Sequence, residues 1–162
     1  MKEGITIMAT YLKADRFYYA HETKPAGYLE LVDGRFGQWT ESVPSAAQVL
    51  DYTGYQIAPG LVDTHIHGFA GHDVMDNSAE GMLAMSQALP SMGVTSYLPT
   101  TLTSSFEHLR DVSATVASVV DTTDGAKIQG IYFEGPYFTE KYKGAQNAAY
   151  MKDPSLEEFK IW

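Results

Sequence analysis

From Gly60 to Asp73 the chain reads GLVDTHIHGFAGHD. Asp63, His65 and His67 occupy alternate positions, and on a strand residues two apart face the same side. Gly68 then lets the chain turn away without a Cβ in the path. Two readings fit this pattern. A solvent-facing strand can carry histidines by chance, or the two imidazoles can hold one divalent ion at about 2.0–2.1 Å each, leaving room for carboxylate and water ligands. The residues on either side decide how much weight each reading carries.

Downstream, the chain alternates strand and helix signals. LVDTHIH is a strand, and Asn77 with Glu80 has the spacing of a capping box opening a helix that runs to about Met92. Gly93 is the expected C-cap, and VTSYLPTT the next strand. Ser104 and Glu107 form a second capping pair, after which Phe106, Leu109, Val112, Val116 and Val119 share one helical face. KIQGIYF, from Lys127 to Phe133, is a third strand. Alternating strands and helices with short connections imply parallel strands and right-handed crossovers, the opening of a (β/α)8 TIM-like barrel. Ser155 and Glu158 start one more helix, which stops about two turns in, at Trp162. Three parallel strands cannot close a barrel, so the chain reads as truncated: 58–162 would be the first three β/α units of an incomplete barrel.

Upstream, the rhythm differs. ITIMATYL, RFYYAHE, GYLELVD and QVLDYTGYQI are short alternating runs separated by Lys24-Pro25-Ala26-Gly27, Asp33-Gly34 and Ser42-Val43-Pro44-Ser45. They predict a small antiparallel, β-sandwich-like domain over 1–57. The net charge of −9 disfavours nucleic acid and anionic membranes as partners. No apolar run approaches the roughly 20 residues of a membrane helix, and the N-terminus does not resemble a signal peptide. With no cysteine, thiolate ligands, disulfides and a cysteine nucleophile are excluded, and a cytoplasmic setting fits.

The third strand ends in Glu134-Gly135-Pro136. In a parallel β/α barrel, ligands gather at the carboxyl ends of strands, and a carboxylate there is expensive unless it is paired or bound to a cation. Glu134 at one strand end and His65-x-His67 at another together favour a metal centre. Asp63, on the same face, could orient a ligand histidine or serve as a structural hydrogen-bond acceptor. His72 reads as a loop residue, His21 and His108 as surface positions, and Met82, Met85 and Met92 as helix core.

The runs APGLVDTHIHG, GVTSYLPTTLT and GIYFEGPYFTEKYKGAQN together resemble the N-terminal part of the N-acetylglucosamine-6-phosphate deacetylases, within the amidohydrolase superfamily. The resemblance covers Ala58 to the C-terminus. It implies that Glu134 is the carboxylate ligand of the main catalytic metal, a divalent ion expected to be zinc. His65 and His67 fall where family members differ, so one or two ions are implied. Ala145 and Gln146, with adjoining Asn147, match positions that contact the sugar. Some relatives carry histidine where this chain has Gln146, and an amide makes that contact insensitive to pH. Lys141 and Lys143 either help to bind phosphate or belong to a solvated loop. The implied reaction is metal-assisted deacetylation of N-acetylglucosamine 6-phosphate to glucosamine 6-phosphate and acetate, by a full-length homodimer. The family's two further histidine ligands and its aspartate base have no counterpart in this chain, which by itself is expected to be inactive and prone to aggregate. Another amidohydrolase acting on cyclic amides or N-acyl groups, or a non-catalytic binding module, are the alternatives.

Overall fold

In the first unit, the longest strand shows where alternation holds and where it slips. β1 (Thr10–Tyr18) buries Leu12, Ala14 and then Phe17, a change of phase across Asp15 and Arg16. Its pairing with β5 (Gln48–Ile57) shifts register at the same place, so a bulge re-aims Phe17 into the core. The structure, a computed structural model, describes residues 9–162. The chain divides into two compact units, Met1–Pro59 and Gly60–Trp162. The first part of the expected run ITIMATYL lies outside the described residues; its end and the first three residues of RFYYAHE merge into β1, because Lys13–Arg16 continues the strand rather than breaking it.

β2 (Thr23–Lys24) and β3 (Gly27–Val32) both lie antiparallel to β1 in one continuous register, interrupted by Pro25 and Ala26. Asp33 and Gly34, at φ 49° and 72°, form the two-residue turn into β4 (Arg35–Thr40), a strand the sequence pattern did not reveal. β5 then returns parallel to β1 on its other side. The expected all-antiparallel pairing is therefore corrected. The described residues form one mixed five-stranded sheet, because the 41–47 connection crosses over instead of turning back as a hairpin. Leu12, Ala14, Phe17 and Leu29 form its core.

The second unit has the expected β/α order. β6 (Leu61–Ile66) and β9 (Val94–Thr101) pair in parallel, and β10 (Lys127–Ile128) and β11 (Tyr132–Phe133) lie parallel on β9's other side. A small hairpin, β7 (Gly68–Phe69) with β8 (His72–Asp73), follows β6. Pro99 sits beside two of the irregularities of this sheet. It sits in the central strand with no N–H to give. Opposite it, β6 slips register between Asp63 and Ile66. The third strand also gains one residue between its pairings with Tyr97 and Thr100, where Gly130 adopts φ 154°. The expected single strand KIQGIYF is thus two short pieces.

Helix α1 (Ala79–Ala88) is capped by Ser78, whose Oγ accepts the Gly81 N–H at 3.1 Å. Asn77, the expected cap, is instead left-handed at φ 54° and accepts from Thr115 Oγ1. Pro90 changes the helix into a 3-10 turn over Leu89–Met92 before Gly93 ends it. Ser105, not Ser104, caps α2 (Phe106–Val119) through the His108 N–H. Ser155 caps α3 (Leu156–Ile161) as expected. Met82, Met85, Leu89, Val112, Val116 and Val119 pack over Tyr97 and Ile128. Burial pushes the Tyr97 phenol up, and its hydroxyl meets Ser86 Oγ at 2.8 Å. Two expectations fail here. Met92 is 64% exposed, past the point where the helix tightens. His108 is half-buried, with Nε2 3.1 Å from the Met75 carbonyl.

Candidate metal centre

Three donor atoms converge at the carboxyl ends of β6 and β11. His65 Nε2 and His67 Nε2 lie 3.2 Å apart, and Glu134 Oε2 is 3.0 Å from the first and 2.9 Å from the second. The histidines end or follow β6, and Glu134 follows β11 directly, so the parallel order of the sheet brings together residues 69 apart in sequence. The side chains are 46%, 34% and 26% exposed, open enough for a ligand to enter.

Hydrogen bonds fix much of this geometry. His67 Nδ1 lies 3.1 Å from the Thr100 carbonyl, which can only accept, so Nδ1 carries a proton and Nε2 is the nitrogen presented to the cluster. His65 has its ring against Tyr132, centroids 5.0 Å apart at an angle of 38°. Asp63 Oδ1 accepts the backbone N–H of His65 at 3.0 Å, which makes it a brace of the strand rather than a partner of the imidazole.

The donor set fits a divalent ion. With a neutral His67 and an ionised Glu134, lone pair faces lone pair at 2.9 Å, an arrangement that calls for a cation or a proton between them. Edges of 2.9–3.2 Å are slightly shorter than the about 3.3 Å between ligands of a tetrahedral zinc with 2.0–2.1 Å bonds. A point about 2 Å from all three donors lies roughly 1 Å above their plane, so one ion reaches every donor without moving a strand.

The expected sugar-contact residues lie on the loop after Glu134. Gln146 is buried, its Oε1 accepting the Thr103 N–H at 2.8 Å, so its carbonyl end braces the segment after β9. Ala145 is exposed, and Asn147 caps a 3-10 turn through the Ala149 N–H. Lys143 Nζ donates to the Gln146 carbonyl at 3.2 Å, and Lys141 lies over the Tyr142 ring. Beside Glu134, a cavity of about 230 Å³ is lined by aromatic side chains including Tyr132, Phe133, Tyr137 and Trp162. Thr100 and Tyr132 are contributors that the sequence reading passed over. The available signal was alternation: Tyr132 stands two residues before Glu134 and so on its side of the strand.

Parallel β/α units with two imidazoles and a carboxylate at their strand ends define a sheet protein with a candidate divalent-metal centre. No family model matches the chain. Its sequence relatives include N-acetylglucosamine-6-phosphate deacetylases and an N-acetylgalactosamine-6-phosphate deacetylase of Escherichia coli O157:H7, and its structural neighbours include N-acetylglucosamine-6-phosphate deacetylases. The chain is 43% identical to that of Vibrio furnissii over 107 residues, which are 65% of this chain and 27% of the relative. It is 31% identical to that of Bacillus subtilis (strain 168) over 143 residues, 84% of this chain and 36% of the relative. The crystal structure of the Mycobacterium smegmatis deacetylase superposes with a TM-score of 0.77 at 27% identity, covering 94% of this chain and 43% of that one. The chain thus spans about a third of the length of these curated relatives.

Proposed function

We propose that the protein carrying this chain is a metal-dependent hydrolase that removes the acetyl group of N-acetylglucosamine 6-phosphate, giving glucosamine 6-phosphate and acetate. The observation that carries this reading is the convergence of His65 Nε2, His67 Nε2 and Glu134 Oε2 within 3.2 Å of one another at strand ends. The relatives' names supply the substrate.

Glu134, His65 and His67 would hold the ion, with zinc the metal suited to two imidazoles and a carboxylate. A bound divalent ion lowers the pKa of water and polarises an acetamido carbonyl. The rest falls to the chain's own groups. Glu134 supplies the negative charge of the donor set. The Thr100 carbonyl holds His67 with its lone pair toward the centre. Gln146 keeps its carbonyl end on Thr103 and offers its amide nitrogen to the sugar, with Ala145 and Asn147 beside it.

Release of free amine from N-acetylglucosamine 6-phosphate by the intact protein, with and without a chelator, tests the reading. Activity should fall with chelation, return with zinc, and be lost in Glu134→Gln. Full turnover by a metal-stripped protein, or by Glu134→Gln, would overturn it.

A further inference from the structure

Thr100 stands next to Pro99, at the level of the histidine pair. It is fully buried, and its hydroxyl and carbonyl both reach the β6 end. Its Oγ1 accepts the Ile66 N–H at 3.0 Å, the amide between the two histidines. The same hydroxyl donates to the Leu98 carbonyl at 3.0 Å. Its own carbonyl accepts His67 Nδ1–H at 3.1 Å. A regular ladder would give the Ile66 N–H a backbone carbonyl, but the pairing of β6 slips between Asp63 and Ile66, and that N–H goes to the Thr100 hydroxyl. One side chain therefore replaces a ladder contact and sets where the backbone between His65 and His67 sits.

We infer that Thr100 is a positioning residue of the metal centre: its hydroxyl fixes the His65–His67 backbone, and through it the separation and aim of the two imidazoles. This rests on the metal reading above. The neighbouring Thr101 provides the internal contrast. It is equally buried, yet its Oγ1 has no hydrogen-bond partner, so removing that hydroxyl breaks nothing. If burial or packing of a threonine at this strand end were all that mattered, the two positions would respond alike.

The test uses the intact protein with zinc as the probe, titrated calorimetrically, and ¹⁵N imidazole NMR of the metal-free form. Wild type, Thr100→Ser, Thr100→Val and Thr101→Val are compared. Thr100→Val leaves the Ile66 N–H unpaired and should weaken zinc binding by about 10–100-fold, the range for groups that orient metal ligands. In its metal-free form, His67 should lose its single Nδ1–H tautomer. Thr100→Ser keeps the hydroxyl and should bind zinc within about threefold of wild type, as should Thr101→Val. Zinc affinity and tautomer unchanged in Thr100→Val would overturn the inference. So would a folded Thr100→Ser as impaired as valine is expected to be, a comparison that stands even if the valine variant fails to fold. A wild type that binds no zinc would instead sink the metal reading itself.

Discussion

Replacing Glu134 by glutamine should reverse the protein's response to zinc, and the two directions come from the same three atoms. Glu134 Oε2 faces His67 Nε2 at 2.9 Å, and in the Nδ1–H tautomer the ring's proton is committed to Thr100. Without metal, that contact sets acceptor against acceptor. A glutamine amide can donate to His67 Nε2, so the metal-free variant should gain about 0.5–1.5 kcal/mol, the net worth of a neutral hydrogen bond. With zinc at a thousand times its dissociation constant, the wild type should gain about 4.1 kcal/mol by mass action. For a unit the size of Gly60–Trp162 that corresponds to roughly 16–33 °C in Tm. The variant, with the only anionic donor gone, should keep little of that rise. Thermal unfolding of both proteins, with chelator and with saturating zinc, reads all four states. A zinc-dependent Tm rise in Glu134→Gln equal to that of wild type would refute the reasoning, since the carboxylate would then not be a ligand. A metal-free variant less stable than metal-free wild type would refute the acceptor-against-acceptor part alone.

Three further outcomes are expected. Gly135 adopts φ 87°, and a Cβ there would overlap Thr103 Oγ1. Gly135→Ala should therefore displace Glu134 and lower zinc affinity at least about tenfold by calorimetry, and affinity equal to wild type would count against this packing. Leu109 is fully buried at the first turn of α2, and Leu109→Ala should cost about 2–5 kcal/mol in denaturant unfolding without changing the zinc stoichiometry. The Asp51 carboxyl sits at about 2, below its ordinary 3.8, because the Thr53 hydroxyl and backbone N–H, and then Lys13, hydrogen-bond to the carboxylate. A depressed value contributes stability that is present above the unfolded value and lost as pH falls toward 2. Thr53→Val should move the Asp51 carbon-detected NMR titration up toward 3.8, and an unmoved midpoint would rule out the hydroxyl as the main cause.

Much of the second unit was legible because each of its signals is local. The face of α2 is a 3.6-residue pattern, and Leu109, Val112, Val116 and Val119 are all buried. Gly93 ends its turn in the left-handed region because only glycine does so without strain. The caps slipped by one residue for a definite reason. Asn77-Ser78 and Ser104-Ser105 are pairs of adjacent cap-formers, and tertiary contacts decide between them. Thr115 takes Asn77, which leaves Ser78 to the helix. The mixed first sheet was not legible, since the parallel return of β5 depends on a crossover that hydropathy does not encode. The bulge at Asp15–Arg16 made one strand look like two. At the metal centre, His65, His67 and Glu134 could be chosen by type and strand position. Thr100 could not, because part of what it contributes is a backbone carbonyl, which no side-chain pattern records.

The number of ions can be argued from one atom. The same oxygen of Glu134, Oε2, meets both imidazole nitrogens, at 3.0 and 2.9 Å. If the histidines held an ion apart from that of Glu134, each imidazole would be expected to aim at its own position, with the carboxylate bridging through its second oxygen. Instead the donor atoms form a nearly equilateral triangle, small enough that one position on either face lies within bonding distance of all its corners. One ion would then be within reach of the histidine pair and the glutamate together, and a second would need Oε1 and ligands beyond these three. On that arrangement His65 and His67 are not accessories. Replacing either with alanine should lower affinity for the same ion that Glu134→Gln abolishes, with His67→Ala the more damaging because His67 is the ring held rigidly by Thr100. Metal analysis would contradict this if the double histidine variant kept one tightly bound zinc per chain while Glu134→Gln kept none.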